Sequence, residues 1–277
     1  MNATSPIGGV PAASAAAAVI EMIDVSIGLA GAFETAAVEG IHCAIAAGDY
    51  WVIGGPPGSG KTDLLATMAG LYRPLKGTLR LFGKDSAKLD EDDFRAARLR
   101  IGLVFDNGGR LFNHLTVAEN IALPLRYHRE GQSGPTEERV SRILEVTGLT
   151  ALARDLAGQI KHGSRQRVGL ARALALGPEI LLLDNPLTGL GQRESRWWRE
   201  FLARLAAGHE LTGGQPVTLA ITCDDLRPWA DQGKQFALLR QKRWVRIGGR
   251  IELAGSEEPF LRELLATDFN VGLAGGL

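Results

Sequence analysis

The strongest chemical signal in the chain is a run of residues, Gly55, Pro56, Pro57, Gly58, Ser59, Gly60, Lys61 and Thr62, that fills every fixed position of the pattern GxxxxGK[ST]. Glycines in such a run let the backbone curl until successive N–H groups point inward at phosphate oxygens. A lysine placed like Lys61 reaches the β and γ oxygens, and a hydroxyl placed like that of Thr62 ligates Mg2+. The chemistry implied is binding of a nucleoside triphosphate together with Mg2+. Asp63 follows directly: as a first-turn acid it stabilises a helix, yet the same positive helix end must serve phosphate, so it is expected to weaken nucleotide binding or to point away into solvent. A second element lies far downstream. The apolar run Ile180-Leu181-Leu182-Leu183 ends in Asp184, and an acid at the end of such a strand holds Mg2+ through water in phosphate-loop proteins.

These residues need elements to position them. Tyr50-Trp51-Val52-Ile53 reads as a strand running into the loop, and Asp63 to Leu71 as the helix leaving it. Val19 to Val25 and Ile41 to Ile45 read as short strands broken by Gly28, Gly31, Gly40 and Gly48, which suits an N-terminal antiparallel sheet. Ile101 to Phe105 is a nearly continuous apolar run of the kind buried on both faces of a parallel sheet. Residues from about 108 to 160 read as mostly helical, with Thr136-Glu137-Glu138 as a helix start and Val140, Ile143 and Leu144 on one face. Val168 to Leu176 reads as a further helix, and Val217 to Thr222, Phe236 to Leu239 and Trp244 to Ile247 as strands. The fold class is therefore α/β.

Length and composition agree with one large domain or two small ones: 277 residues, 45% of them hydrophobic. Residues 1–18 are rich in Ala, Ser, Gly and Pro and are expected to be a disordered tail, and 266–277 a flexible glycine-rich one. Formal charge is +0, from 31 Lys and Arg against 31 Asp and Glu, so no global basic field points to a nucleic-acid partner. No Lys or Arg precedes Lys61, which argues against a secretory leader. No apolar run approaches the length of a membrane span. Cys43 and Cys223 lack metal-ligand spacing and are expected to be reduced thiols of a cytosolic protein.

The order of phosphate loop, helical insertion, the basic helix Arg165-Gln166-Arg167-Val168-Gly169-Leu170-Ala171-Arg172 and the strand ending in Asp184 resembles the nucleotide-binding subunit of ABC transporters, over about residues 19–265. That resemblance implies a P-loop NTPase core with an N-terminal antiparallel β subdomain and a helical insertion. It further implies ATP as the nucleotide, a membrane permease subunit as partner, and a place on the cytoplasmic face of the membrane. Gly109-Arg110-Leu111-Phe112 and Leu115 to Arg126 look most like the ATPases of Mla/Mce phospholipid transporters, with the permease docking near Arg110 to Leu115. A soluble ABC-type regulatory module is the alternative from another class.

Departures from the family pattern carry as much information as the matches. Asn185 stands where the family carries the glutamate that activates the attacking water, and an amide takes no proton. Asp106 replaces a glutamine that senses Mg2+ and water, while Cys223 or Asp224, according to register, replaces a histidine on the γ-phosphate. The signature Leu-Ser-Gly-Gly-Gln is represented by Ile160, Lys161, His162, Gly163 and Ser164, and Gly191 replaces an aspartate of the loop between subunits. Two expectations follow from these replacements. Either the chain binds Mg-ATP with weak or absent hydrolysis, as a non-catalytic half opposite an active subunit, or Asp106 or Asp224 serves as a rearranged base; the ATPase partner is expected to be a second subunit, or the chain itself. The adenine-stacking aromatic is expected near Leu29 to Phe33, with Phe33 as candidate.

Overall fold

The computed structural model of the chain describes residues 18–29, 32–128, 133–256, 261, 262 and 265. The tails expected at the two ends lie outside these residues, except that Ala18 already belongs to the first strand. In chain order the strands and helices are β1 (Ala18–Leu29), β2 (Ala32–Ala46), β3 (Tyr50–Gly54), α1 (Lys61–Met68), β4 (Lys76–Leu81), β5 (Lys84–Asp85), α2 (Glu91–Leu99), β6 (Ile101–Val104), α3 (Val117–His128), α4 (Ser133–Val146), α5 (His162–Leu174), β7 (Ile180–Asp184), α6 (Gln192–Ala207), β8 (Thr218–Cys223), β9 (Gln235–Arg240), β10 (Arg243–Gly248) and α7 (Arg250–Gly255).

The strands join one curled, mixed sheet in the order β5-β4-β1-β2-β10-β9-β3-β8-β7-β6. β1, β2, β4 and β5 pair antiparallel, and β9, β3, β8, β7 and β6 pair parallel. The halves meet where β10, antiparallel to β9, touches β2 at Arg243 opposite Glu39. Every residue of β3, β7 and β8 is buried, as parallel strands covered on both faces require. Two apolar clusters share the sheet: one holds Ile20, Ile27, Leu64 and Leu182, the other Ile121, Leu170, Trp198 and Phe201. Fully burying each such side chain is worth about 1.5–3 kcal/mol.

Several local expectations need correction. β1 and β2 are long strands, and Gly28 and Gly40 lie inside them where breaks were expected. Their register shifts between Met22 and Val25, where Asp24 takes φ 51, so bulges absorb the irregularity without ending the pairing. α2 was not legible from apolar periodicity; it starts because the Asp90 side chain accepts from Asp93 N at 2.7 Å and acids fill the first turn. α4 begins at Ser133, ahead of Thr136, and α5 at His162, ahead of Val168.

Residues 109–116 are not helical. They are an irregular loop tied down by the fully buried Asn120, whose Nδ2 donates to Phe112 O at 3.1 Å, Leu115 O at 3.3 Å and Thr116 O at 2.9 Å, while its Oδ1 accepts from Phe112 N at 2.9 Å. Thr116 then caps α3 reciprocally with Glu119: Thr116 N donates to Glu119 Oε2 at 2.8 Å and Glu119 N to Thr116 Oγ1 at 3.2 Å. The bond from the Thr116 backbone holds the Glu119 carboxyl below its ordinary range. Asn120→Ala deletes the loop's internal partner and strands Phe112 N–H. It should cost on the order of 2–3 kcal/mol in urea unfolding, and a loss under about 0.5 kcal/mol would show the loop is held by other means.

Candidate functional site

The parallel strands bring the chemistry to one edge of the sheet. Gly54 at the end of β3 pairs with Cys223, and Asp184 at the end of β7 pairs with Thr222. The phosphate-type loop, Asp184-Asn185 and Cys223-Asp224 therefore emerge side by side at the carboxyl ends of adjacent strands, the usual place for a ligand in an α/β sheet.

Steric limits fix the loop. A Cβ at Gly55 would stand 2.6 Å from Ser59 Oγ and 2.8 Å from Leu239 O, so no side chain fits there. Gly60 takes φ 90, a backbone region that side-chain-bearing residues rarely adopt. As N-cap of α1 it supplies no side-chain acceptor, so the first-turn N–H groups of an eight-residue helix are left for a ligand. The Ser59 hydroxyl is buried against Gly55 without a hydrogen-bond partner.

Lys61 is 7% exposed, and its ammonium donates to Gly55 O at 2.7 Å and Pro56 O at 2.9 Å. It also pairs with Asp224 Oδ1 at 2.8 Å, and Asn185 Nδ2 donates to the other carboxylate oxygen, Oδ2, at 2.7 Å. Asn185 holds φ 45, a left-handed conformation that Asn tolerates better than most residues, and its N–H donates to Thr222 O at 3.0 Å. Thr62 Oγ1 donates to Asp184 Oδ2 at 2.6 Å and Thr222 Oγ1 to Asp184 Oδ1 at 2.7 Å.

The hydroxyl of Thr62 and the carboxylate of Asp184 fit Mg2+, which takes hard oxygen donors and completes its shell with water and phosphate. Among the described residues no group of His, Cys, Asp and Glu could hold a metal by side chains alone. When bound, Mg2+ would neutralise charge on the phosphates.

Other candidate residues are placed less directly. Asp106 opens a short 3-10 turn, Asp106–Gly108, after β6. Asp63 is 9% exposed and does not point into solvent, against one of the two sequence expectations. Cys223 is 3% exposed; burial drives its thiol far above the ordinary range, and its backbone C=O accepts from Gly55 N at 3.2 Å. Of the two residues weighed for the missing histidine, Asp224 is the one whose side chain meets Lys61. Ile160 packs on the core, Lys161 and His162 are exposed, and α5 begins at His162. The segment Ile160, Lys161, His162, Gly163, Ser164 reaches the site through the turn after Asn185: His162 Nε2 lies 3.3 Å and Gln166 Nε2 3.0 Å from Thr188 O. Gly191 precedes α6 as its N-cap. In the loop before α3, Leu111 is buried while Arg110, Phe112 and His114 are exposed. The side chain of Phe33 lies outside the described residues.

Sequence reasoning missed two partners. Thr222, which bonds Asp184, was detectable as a polar residue ending the apolar run Leu219-Ala220-Ile221. The Lys61–Asp224 pair had no local signal, since it joins the first residue of α1 to the residue that follows β8.

Comparison with known proteins gives consistent results. A family model described as "ABC transporter" matches residues 38–188. The chain is 39% identical over 185 residues, 66% of its length and 51% of the relative's, to a sulfate/thiosulfate import ATP-binding protein of Methylococcus capsulatus. It is 30% identical over 227 residues, 82% of its length and 63% of the relative's, to a probable ribonucleotide transport ATP-binding protein of Mycobacterium leprae. The chain spans about half the length of the curated relatives it matches. A bacterial ABC transporter cassette solved as a dimer is similar with TM-score 0.71 and 28% identity, covering 81% of this chain and 95% of that one. An ATP-binding cassette solved as a dimer after hydrolysis, with ADP and phosphate bound, has TM-score 0.71 and 26% identity, covering 83% and 99%.

Burial makes the thiols testable. Cys43 is pushed up from 9.0 to about 12 by burial, and Cys223 is raised further for the same reason. Both stay protonated in the folded chain while an unfolded chain ionises near 9.0, so their contribution to stability is complete below that pH and is lost as pH rises toward 12. Iodoacetamide at pH 8 should leave both unmodified in the native chain and alkylate both in denaturant. Rapid native labelling of Cys223 would show that its thiol faces the site.

Proposed function

The chain belongs to the ABC transporter family, and from that premise we propose that it is an ATP-binding subunit of a membrane transporter, held at the cytoplasmic face by a membrane permease subunit. In this reading it binds Mg-ATP and hydrolyses it weakly or not at all. The observation that carries it is the pairing of a complete Gly55–Thr62 loop, its Thr62 bonded to Asp184, with an amide at Asn185. Loop N–H groups and Lys61 hold the phosphates, and Thr62 and Asp184 hold Mg2+. No residue at 185 removes a proton from water, and general-base assistance is typically worth about a hundred- to ten-thousand-fold.

Asp224 as a rearranged base gains little support. Both of its oxygens are engaged, one on Lys61 and one on Asn185. A permease partner is supported by the exposed Phe112 and His114 of the loop before α3. No helix among the described residues is long and apolar enough to cross a membrane. A phospholipid cargo of the Mla/Mce kind rests on the sequence of residues 109–126 alone. Relatives are named for sulfate/thiosulfate, methionine and ribonucleotides, so the cargo is a separate proposal from the ATP site.

Labelled ATP with Mg2+ should bind the wild type saturably and Lys61→Ala at least about tenfold more weakly, since Lys61 meets the β and γ oxygens. Unchanged binding in that variant would remove the site. Asn185→Glu should raise turnover less than about threefold, because the new carboxylate faces Asp224 and meets like charge. A gain approaching the general-base range would mean the missing acid was the sole defect.

Two similar cassettes were solved as dimers. For this chain we propose pairing with a different ATPase subunit, since Lys161 and His162 stand where the signature supplies its serine and first glycine. Native mass spectrometry of the purified transporter should find one copy of the chain beside a second ATPase. Two copies and no other ATPase would establish the homomer.

A further inference from the structure

Asp224 occupies the working end of Lys61. Its carboxylate is 2.8 Å from an ammonium that is 7% exposed, and the pair forms at the edge where β3, β7 and β8 end together. Asn185 fixes the carboxylate from the other side at 2.7 Å, and Asn185 is itself fixed by its N–H bond to Thr222 O at 3.0 Å. The carboxylate is thus a positioned anion within the reach of the lysine.

Its place relative to the phosphates follows from the metal residues. Thr62 and Asp184 would hold Mg2+, which would neutralise charge on the phosphates when bound. Asn185 is the next residue after Asp184 and Asp224 pairs with Lys61, so the Asn185–Asp224 contact stands between the residues that would hold Mg2+ and the lysine that would take the terminal phosphate. A β-phosphate shares Lys61 with the γ-phosphate but is also cradled by backbone N–H groups of the loop, which Asp224 does not touch. A γ-phosphate depends on Lys61, and to claim it must draw the ammonium from Asp224 and then stand near that acid as a second anion.

We propose that Asp224 is a specificity-determining residue: its carboxylate competes with the terminal phosphate for Lys61 and biases the site toward a nucleoside diphosphate over the triphosphate. The inference rests on reading Gly55–Thr62 as a nucleotide loop and deepens that reading. It also gives Asn185 a task beyond the loss of a base. An amide donates to Asp224, whereas a glutamate at 185 would place a second acid against it.

Equilibrium binding of labelled ATP and ADP, each with Mg2+, to the full chain tests it in wild type, Asp224→Asn, Asp224→Ser and Lys61→Ala. Asp224 is 43% exposed, so both substitutions at 224 should fold, and circular dichroism checks that they do. Asp224→Asn and Asp224→Ser should each lower the ratio of the ATP to the ADP dissociation constant by about tenfold, the size of a one-unit change in charge interaction, with ADP affinity moving less than about threefold. A ratio unchanged in both variants, with ADP and ATP still binding and Lys61→Ala still weakening them, overturns the role of Asp224 and leaves the site intact. No saturable binding of either nucleotide to any of the proteins removes the site itself and the inference with it.

Discussion

Asp184 is 4% exposed, and a carboxylate so removed from water is tolerable only when its oxygens are bonded. Thr62 supplies one bond from the start of α1, and Thr222 supplies the other from β8. Hydrogen bonds to a charged group are worth about 1.5–3 kcal/mol each, so this chain of three residues is among the firmer polar contacts at the sheet edge. It sets the loop's helix against two strands that arrive from distant parts of the sequence. The steric lock at Gly55, the left-handed turn at Asn185 and the approach of Asp224 to Lys61 all depend on those elements being held in that order.

The helical part is joined to this edge by backbone contact. A Cβ at Gly108 would stand 2.5 Å from Arg165 O, and one at Gly169 would stand 2.3 Å from Gly108 O. The turn that begins at Asp106 therefore lies directly against α5, with no side chain between them. α5 in turn meets the segment after Asn185 through Gln166 and Thr188. The turn at 106–108 and α5 are therefore packed backbone to backbone, and Gln166 joins α5 to the turn after Asn185 by a side-chain hydrogen bond.

Sequence made the loop, the strand ending in Asp184 and the α/β class legible for a physical reason: each is a local pattern, a glycine spacing or an apolar run, that survives without tertiary information. Elements that depend on partners were not legible. β2 runs for 15 residues because β1 pairs along it through several bulges, and a single-strand reading sees Gly40 as an end. The 109–116 loop is irregular because Asn120 satisfies its backbone groups from α3, which periodicity cannot show. The Lys61–Asp224 pair joins the start of α1 to the residue after β8 and depends on β3 and β8 lying side by side.

That pair also changes how the replacements at the site are to be understood. Taken singly against the pattern that the sequence resemblance implies, Asn185, Cys223 and Asp224 read as losses: an amide for a base, a thiol or a carboxylate for an imidazole. Taken together they form one arrangement, in which the charge absent from position 185 reappears at 224, neutralised by Lys61 and held by the amide that replaced the acid. An acid at 185 beside Asp224 would put two negative charges within hydrogen-bond distance with a single lysine to balance them, a combination that raises the cost of ionising either. The amide at 185 and the acid at 224 are therefore physically coupled. Changing one without the other leaves either two facing carboxylates or an amide without its carboxylate partner.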